Sequence, residues 1–186
     1  MLFKIVIAVV ICTIIGLVAF QFVDPNLNNG NDTTLKDDPN RISIGVTGEV
    51  VKAGNYVIDA NSNIGNLIEA AGGVTSNADE RCYFIDTEIK KGESYYIAPK
   101  YDISDVCGNN PIVKTNINSA NQTELMKIPG IGEILASSII DYRKEHGLFY
   151  ALEHITNVSG IGNAKFSEIK NKIILHSAEW NSSRYF

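Results

Sequence analysis

Two short segments of this chain pair glycines around an isoleucine: Pro129-Gly130-Ile131-Gly132 and Ser159-Gly160-Ile161-Gly162. Without a Cβ, glycine lets the backbone take positive φ and lets a ligand approach closely. A helix that starts directly after such a turn points its unsatisfied N–H groups, and the positive end of its dipole, at whatever sits there. The chemistry that fits is capture of an anion, phosphate above all, by backbone amides. Ile131 and Ile161 read as inward anchors that keep each turn rigid. Asn163 and Lys165 in the second copy, and Lys127 in the first, stand where they could add donors or charge, and Lys170 and Lys172 are further cationic candidates. Such contacts meet phosphates rather than base edges, so they position a nucleic acid without reading its sequence.

The surrounding residues supply the elements that would hold these turns. Residues 125–132 and 155–162 repeat at an offset of 30 throughout, the signature of an internal duplication. Asn121 with Glu124 three residues on makes a capping box, so a short helix is expected over residues 122–127, ended by Pro129-Gly130. A second helix should start at Gly132, carry Leu135, Ile139 and Tyr142 on one face with Ile134 beside them, and close at Gly147. The second copy repeats the plan from near Ala151, its last helix carrying Phe166, Ile169, Ile173 and Ile174.

Upstream, Ile42, Ile44 and Val46 alternate as in a half-buried strand, and residues 54–58 form its hairpin partner. Asn63 precedes Ile64, Leu67, Ile68 and Ala71, the pattern of a short helix that stops at Gly72-Gly73. Tyr83 to Ile85 and Tyr95 to Ile97 are expected as further strands. A few strands covered by one helix make a small α+β fold.

The N-terminus is different again. Residues 1–23 are almost wholly apolar, close to the ~20 residues that span a bilayer, with Lys4 at one end and Asp24 after the other. The positive-inside tendency then places the N-terminus in the cytoplasm and the remaining domains outside. A cleaved signal peptide fits less well, because the apolar run is too long and no Ala-x-Ala-like site follows. Residues 24–40, rich in Asn, Asp, Pro and Gly, cannot bury enough surface to fold and are expected as a flexible tether. A second linker is expected over 108–115 and a loose tail over 177–186.

Charge argues weakly against the phosphate reading, since the chain has 16 Lys and Arg against 21 Asp and Glu. The acidity lies mostly upstream: residues 41–110 carry 6 basic and 10 acidic side chains, residues 111–176 carry 7 and 6. With so thin a surplus, phosphate binding must lean on backbone geometry. Cys82 and Cys107 either form a disulfide outside the membrane or remain two buried thiols. No His stands at ligand spacing from either, and His146, His154 and His176 read as surface or boundary residues. No metal site, cofactor or catalytic residue is expected: carboxylates do not cluster and there is no room for a catalytic domain.

Two resemblances sharpen this reading. The stretches VTGEVVKAGNYVI, LIEAAGGVTSNAD and KKGESYYIAP resemble the soluble-ligand-binding β-grasp (SLBB) domain, whose members bind extracellular ligands or associate with one another. The duplicated hairpins resemble the helix-hairpin-helix region of the ComEA family of competence proteins, membrane-anchored DNA receptors of transformable bacteria. The family's order of parts is matched here: a transmembrane anchor over 1–23, a β-grasp domain over 41–107 and an all-α tandem helix-hairpin-helix domain over 116–176.

The resemblance implies a multidomain, non-enzymatic receptor that binds double-stranded DNA outside the cell without sequence preference. It further implies delivery of that DNA to uptake-channel proteins, and self-association through the β-grasp domain is expected with it. The alternative is an adhesion or export accessory whose β-grasp domain binds a glycan or a partner subunit. Members often carry a basic residue three positions after the second hairpin glycine. Lys165 fills that place in the second copy and Leu135 in the first, so Gly160–Gly162 is expected to bind more strongly than Gly130–Gly132.

Overall fold

The computed structural model describes residue 38, residues 40–102 and residues 110–177. The expected membrane anchor, nearly all of the tether, Cys107 and the tail beyond Ser177 lie outside the described residues. No helix among the described residues is long and apolar enough to cross a membrane.

The β-grasp half forms as its alternation requires. Strand β1 (Arg41–Gly48) buries Ile42, Ile44 and Val46 on one face. It pairs antiparallel with β2 (Gly54–Asp59), Ile44 opposite Tyr56, and parallel with β3 (Ser94–Ile97), Val46 opposite Tyr95. The strand order is β2-β1-β3. Helix α1 (Ile64–Ala70) is started by a reciprocal cap in which Asn63 Oδ1 accepts from the Asn66 amide at 2.9 Å and Asn66 Oδ1 accepts from the Asn63 amide at 3.1 Å. It buries Ile64 and Leu67, which join the core of the sheet.

The strand expected at Tyr83–Ile85 does not form. Only Tyr83 makes a β-bridge, to Ala151. Residues Glu80–Cys82 coil into a 3₁₀ turn capped by Asp79, and Ile85 is left exposed. Tyr83 and Phe84 pack instead against the second half of the protein.

In that second half the duplication is visible in three dimensions. Helix α2 (Gln122–Leu125), with the predicted Asn121–Glu124 capping box, leads through the first turn into α3 (Glu133–His146), closed by Gly147. A 3₁₀ turn (Leu152–Asn157) leads through the second into α4 (Asn163–Ile169). Residues 30 apart are buried alike: Leu125 and Ile155, Ile128 and Val158, Ile131 and Ile161, Ile139 and Ile169. The last helix stops at Ile169, short of its expected length. Ile173–Ile174 is a strand, β7, parallel to β6 (Thr115–Asn116). The hairpin half is therefore not purely helical. Two adjacent buried β-branched residues suit a strand better than a helix end.

The described part of the expected second linker, residues 110–115, is tied to the rest of the fold. Asn110–Pro111 (β5) pairs antiparallel with Tyr101–Asp102 (β4). Lys114 Nζ, fully buried, lies 2.7 Å from Asp79 Oδ2, and Arg81 grips the same carboxylate at 2.8 Å. Burial alone would raise the Asp79 carboxyl, but bonds from Arg81 and Lys114 outweigh it and hold the group at about 2. Cys82 and Ala98 belong to the hairpin core, while Ala151 belongs to the β-grasp core, so the two halves share their interiors. Cys82 is a free thiol, its Sγ 3.7 Å from the Ile173 carbonyl, and burial pushes it up to about 11.

Removing one member of a buried ion pair strands the other. Lys114→Ala should cost about 3 kcal/mol of stability, read as a lower urea midpoint. Because the halves share a core, wild-type fluorescence and far-UV circular dichroism should report one transition; two separated transitions would count against a continuous seam.

Candidate nucleic-acid interface

Each turn is built from the same few bonds. The Ile128 amide donates to Leu125 O at 3.0 Å, and the Val158 amide to Ile155 O at 3.1 Å. The amides of Ile131 and Ile161 donate to the carbonyls of Ile128 and Val158, both at 3.0 Å. Only the first glycine of each pair needs positive φ, +81° at Gly130 and +88° at Gly160. Gly132 and Gly162 are extended N-caps, with φ of −93° and −94°, and no side chain caps either helix. A Cβ on either of these two would meet nothing within 4 Å. The backbone at both helix starts is thus uncapped and uncovered, the state in which helix N-termini accept anions.

Ile131 and Ile161 are buried and their amides are already bonded. They shape the turn, and neither amide is free to bind an anion. Glu133 and Asn163 open the two helices on exposed ground. Ile134, expected beside the apolar face of its helix, is instead 81% exposed. Lys127 and Lys172 are exposed, whereas Lys170 stands 3.9 Å over the Tyr96 ring and is committed to the seam. His146 lies beside Tyr142, and His176 Nε2 is 3.1 Å from Tyr83 O.

Lys165 is not where a linear reading puts it. A Cβ on Gly130 would lie 2.8 Å from Lys165 Nζ, and one on Gly160 would lie 2.7 Å from Leu135 Cδ2. The third residue of each helix covers the turn of the other copy. Lys165 also lies 2.6 Å from Glu168 Oε2.

Beside α4, a groove of about 490 Å³ runs to β3, lined among others by Glu93, Tyr96, Glu153, His154, Asn163 and Lys170. Glu153 Oε1 accepts the Tyr96 amide at 2.6 Å, and burial raises its carboxyl to about 7. His154 Nε2 has no hydrogen-bond partner and is 3.9 Å from Glu93 Oε2; burial lowers its affinity for a proton. Sequence reasoning passed over Asp79, Tyr96 and Glu153, since no motif or periodicity marks a residue whose partner is far along the chain.

A family model for the SLBB domain matches residues 43–98, and one for the helix-hairpin-helix motif matches residues 110–174. ComE operon protein 1 of Bacillus subtilis is 34% identical over 157 residues, 76% of this chain and 77% of that protein. The chain belongs to the family of ComE operon protein 1. Other relatives match a smaller part of the chain. Endonuclease/exonuclease/phosphatase family domain-containing protein 1 of Homo sapiens is 39% identical over 64 residues, 34% of this chain but 11% of that protein. An uncharacterized protein of Haemophilus influenzae is 40% identical over 62 residues, 33% of this chain and 55% of that protein. Within this member of the ComE operon protein 1 family, Asp79 lies in one matched region and Lys114 in the other.

Burial of Glu153 gives the seam a pH dependence, because desolvation outweighs the bonds that the carboxyl accepts from Tyr96 and its own backbone. The folded carboxyl titrates above its ordinary 4.5, so the stability carried by its neutral form is complete below about 4.5 and lost as pH rises through about 7. Wild-type stability should fall by up to about 3 kcal/mol between pH 4.5 and 8 through this group. Glu153→Gln should flatten most of that slope in urea titrations at the two pH values.

Proposed function

We propose that this chain is a membrane-anchored receptor that holds double-stranded DNA outside the cytoplasm by its phosphates, without regard to sequence, for uptake in natural transformation. The observation that carries the reading is the pair of uncapped, uncovered helix starts behind matching glycine turns. Two such sites on one folded unit can each take a phosphate, and backbone amides do not distinguish bases. Membership in the ComE operon protein 1 family supports the competence context. The apolar residues 1–23 support the anchor, with the N-terminus cytoplasmic and residues 41–177 outside. No catalytic step is part of the reading. The β-grasp half would associate with a second copy, and DNA would pass to separate channel proteins.

The second glycine of each pair is the one whose substitution reports on binding. Gly130 and Gly160 have positive φ, so a side chain there would strain the turn whatever it did to a ligand. Gly132→Val and Gly162→Val place bulk over the helix starts in open space and on ordinary backbone. The double variant should keep its melting temperature within a few degrees and lose about tenfold or more in affinity for a random-sequence duplex, measured by anisotropy. Affinity of the wild type should fall with salt at a slope near −4 on logarithmic axes, for about four neutralised phosphates. Unchanged binding by the folded double variant would turn the reading towards the adhesion or export accessory.

A further inference from the structure

We infer that Lys165 serves the first glycine turn, not its own, so that Gly130–Gly132 with Lys165 is a composite phosphate site assembled from both copies. The inference rests on the phosphate-binding reading above and names the side chain that completes one of its two sites.

Two contacts carry it. Lys165 Nζ would lie 2.8 Å from a Cβ on Gly130, and Leu135 Cδ2 would lie 2.7 Å from a Cβ on Gly160. Leu135 and Lys165 are equivalent residues, each third in the helix after its turn, and each covers the opposite glycine. The crossing is therefore a property of how the copies pack, not a chance pose of one flexible lysine. It follows that the first turn faces the Lys165–Glu168 ion pair, ammonium nearest and Glu168 Oε2 3.6 Å from the same Cβ position, and the second faces a methyl group.

The local charges at the first turn are mixed. Glu133 opens α3, and Glu168 holds the Lys165 ammonium at 2.6 Å. An ammonium has three donors, so Lys165 keeps donors for a phosphate while Glu168 fixes its direction. At the second turn, with Leu135 over Gly160, only the amides after Gly162 and the exposed Asn163 remain. The first turn then binds phosphate with side-chain charge and the second without it.

A double-mutant cycle on the full-length chain with a random-sequence duplex separates the possibilities. Lys165→Met should weaken binding about fivefold and reduce the salt slope by about one. The same substitution should cost about fivefold again in the Gly162→Val background and less than twofold in the Gly132→Val background. Lys165→Arg should restore most of the loss, and Leu135→Lys should tighten binding in a way that Gly162→Val abolishes. Coupling of Lys165 to Gly162 rather than Gly132, or no effect of Lys165→Met on a chain that binds DNA, overturns the inference. A wild type that binds no duplex overturns instead the reading on which it rests.

Discussion

Ile131 and Ile161 each sit between two glycines, and the rest of the hairpin half depends on both being buried. An isoleucine in a tight turn would ordinarily face water. Here each is drawn inward against a shared apolar core, and the turn can follow only because the preceding glycine accepts positive φ. Burial of the isoleucine fixes the turn, and the turn fixes where the next helix begins. Because both copies obey the same constraint, their helix starts match bond for bond.

Packing two such copies face to face has a consequence for charge. The third residue of each helix is carried across to the neighbouring turn, so a substitution in one repeat alters the surroundings of the other. A chain that placed lysine in one copy and leucine in the other thereby gave the charge to the turn with no lysine of its own at that position. Lys165 follows Gly160–Gly162 in the chain, but its ammonium lies over Gly130, so neighbours along the chain are not neighbours in space here.

A second constraint joins the hairpins to the β-grasp half. Asp79 and Lys114 form a buried ion pair to which the part-exposed Arg81 adds a second cation, Glu153 accepts the Tyr96 amide, and Ala151 and Cys82 each pack in the other half's core. Of the residues that read as a linker, 110–115 are pinned by this cluster and by β5. Turn residues such as Asn109, Asn110 and Pro111 mark a change of direction, but their composition says nothing about whether the chain there is held.

Residues near in sequence were legible from sequence. The Asn121–Glu124 cap, the alternation of Ile42, Ile44 and Val46, the Asn63 helix start and the 30-residue repeat are all short-range patterns, governed by backbone hydrogen bonding and periodic burial. They determined most of the elements, a small α+β fold followed by paired hairpins, and the location of the glycine turns. Tertiary structure alone decided which turn Lys165 covers, that Ile173–Ile174 pairs with Thr115–Asn116 as a strand, and that Lys114 is buried on Asp79. Those contacts join residues 35 to 58 positions apart. Their energies depend on desolvation and shape at a surface that exists only once the elements have packed.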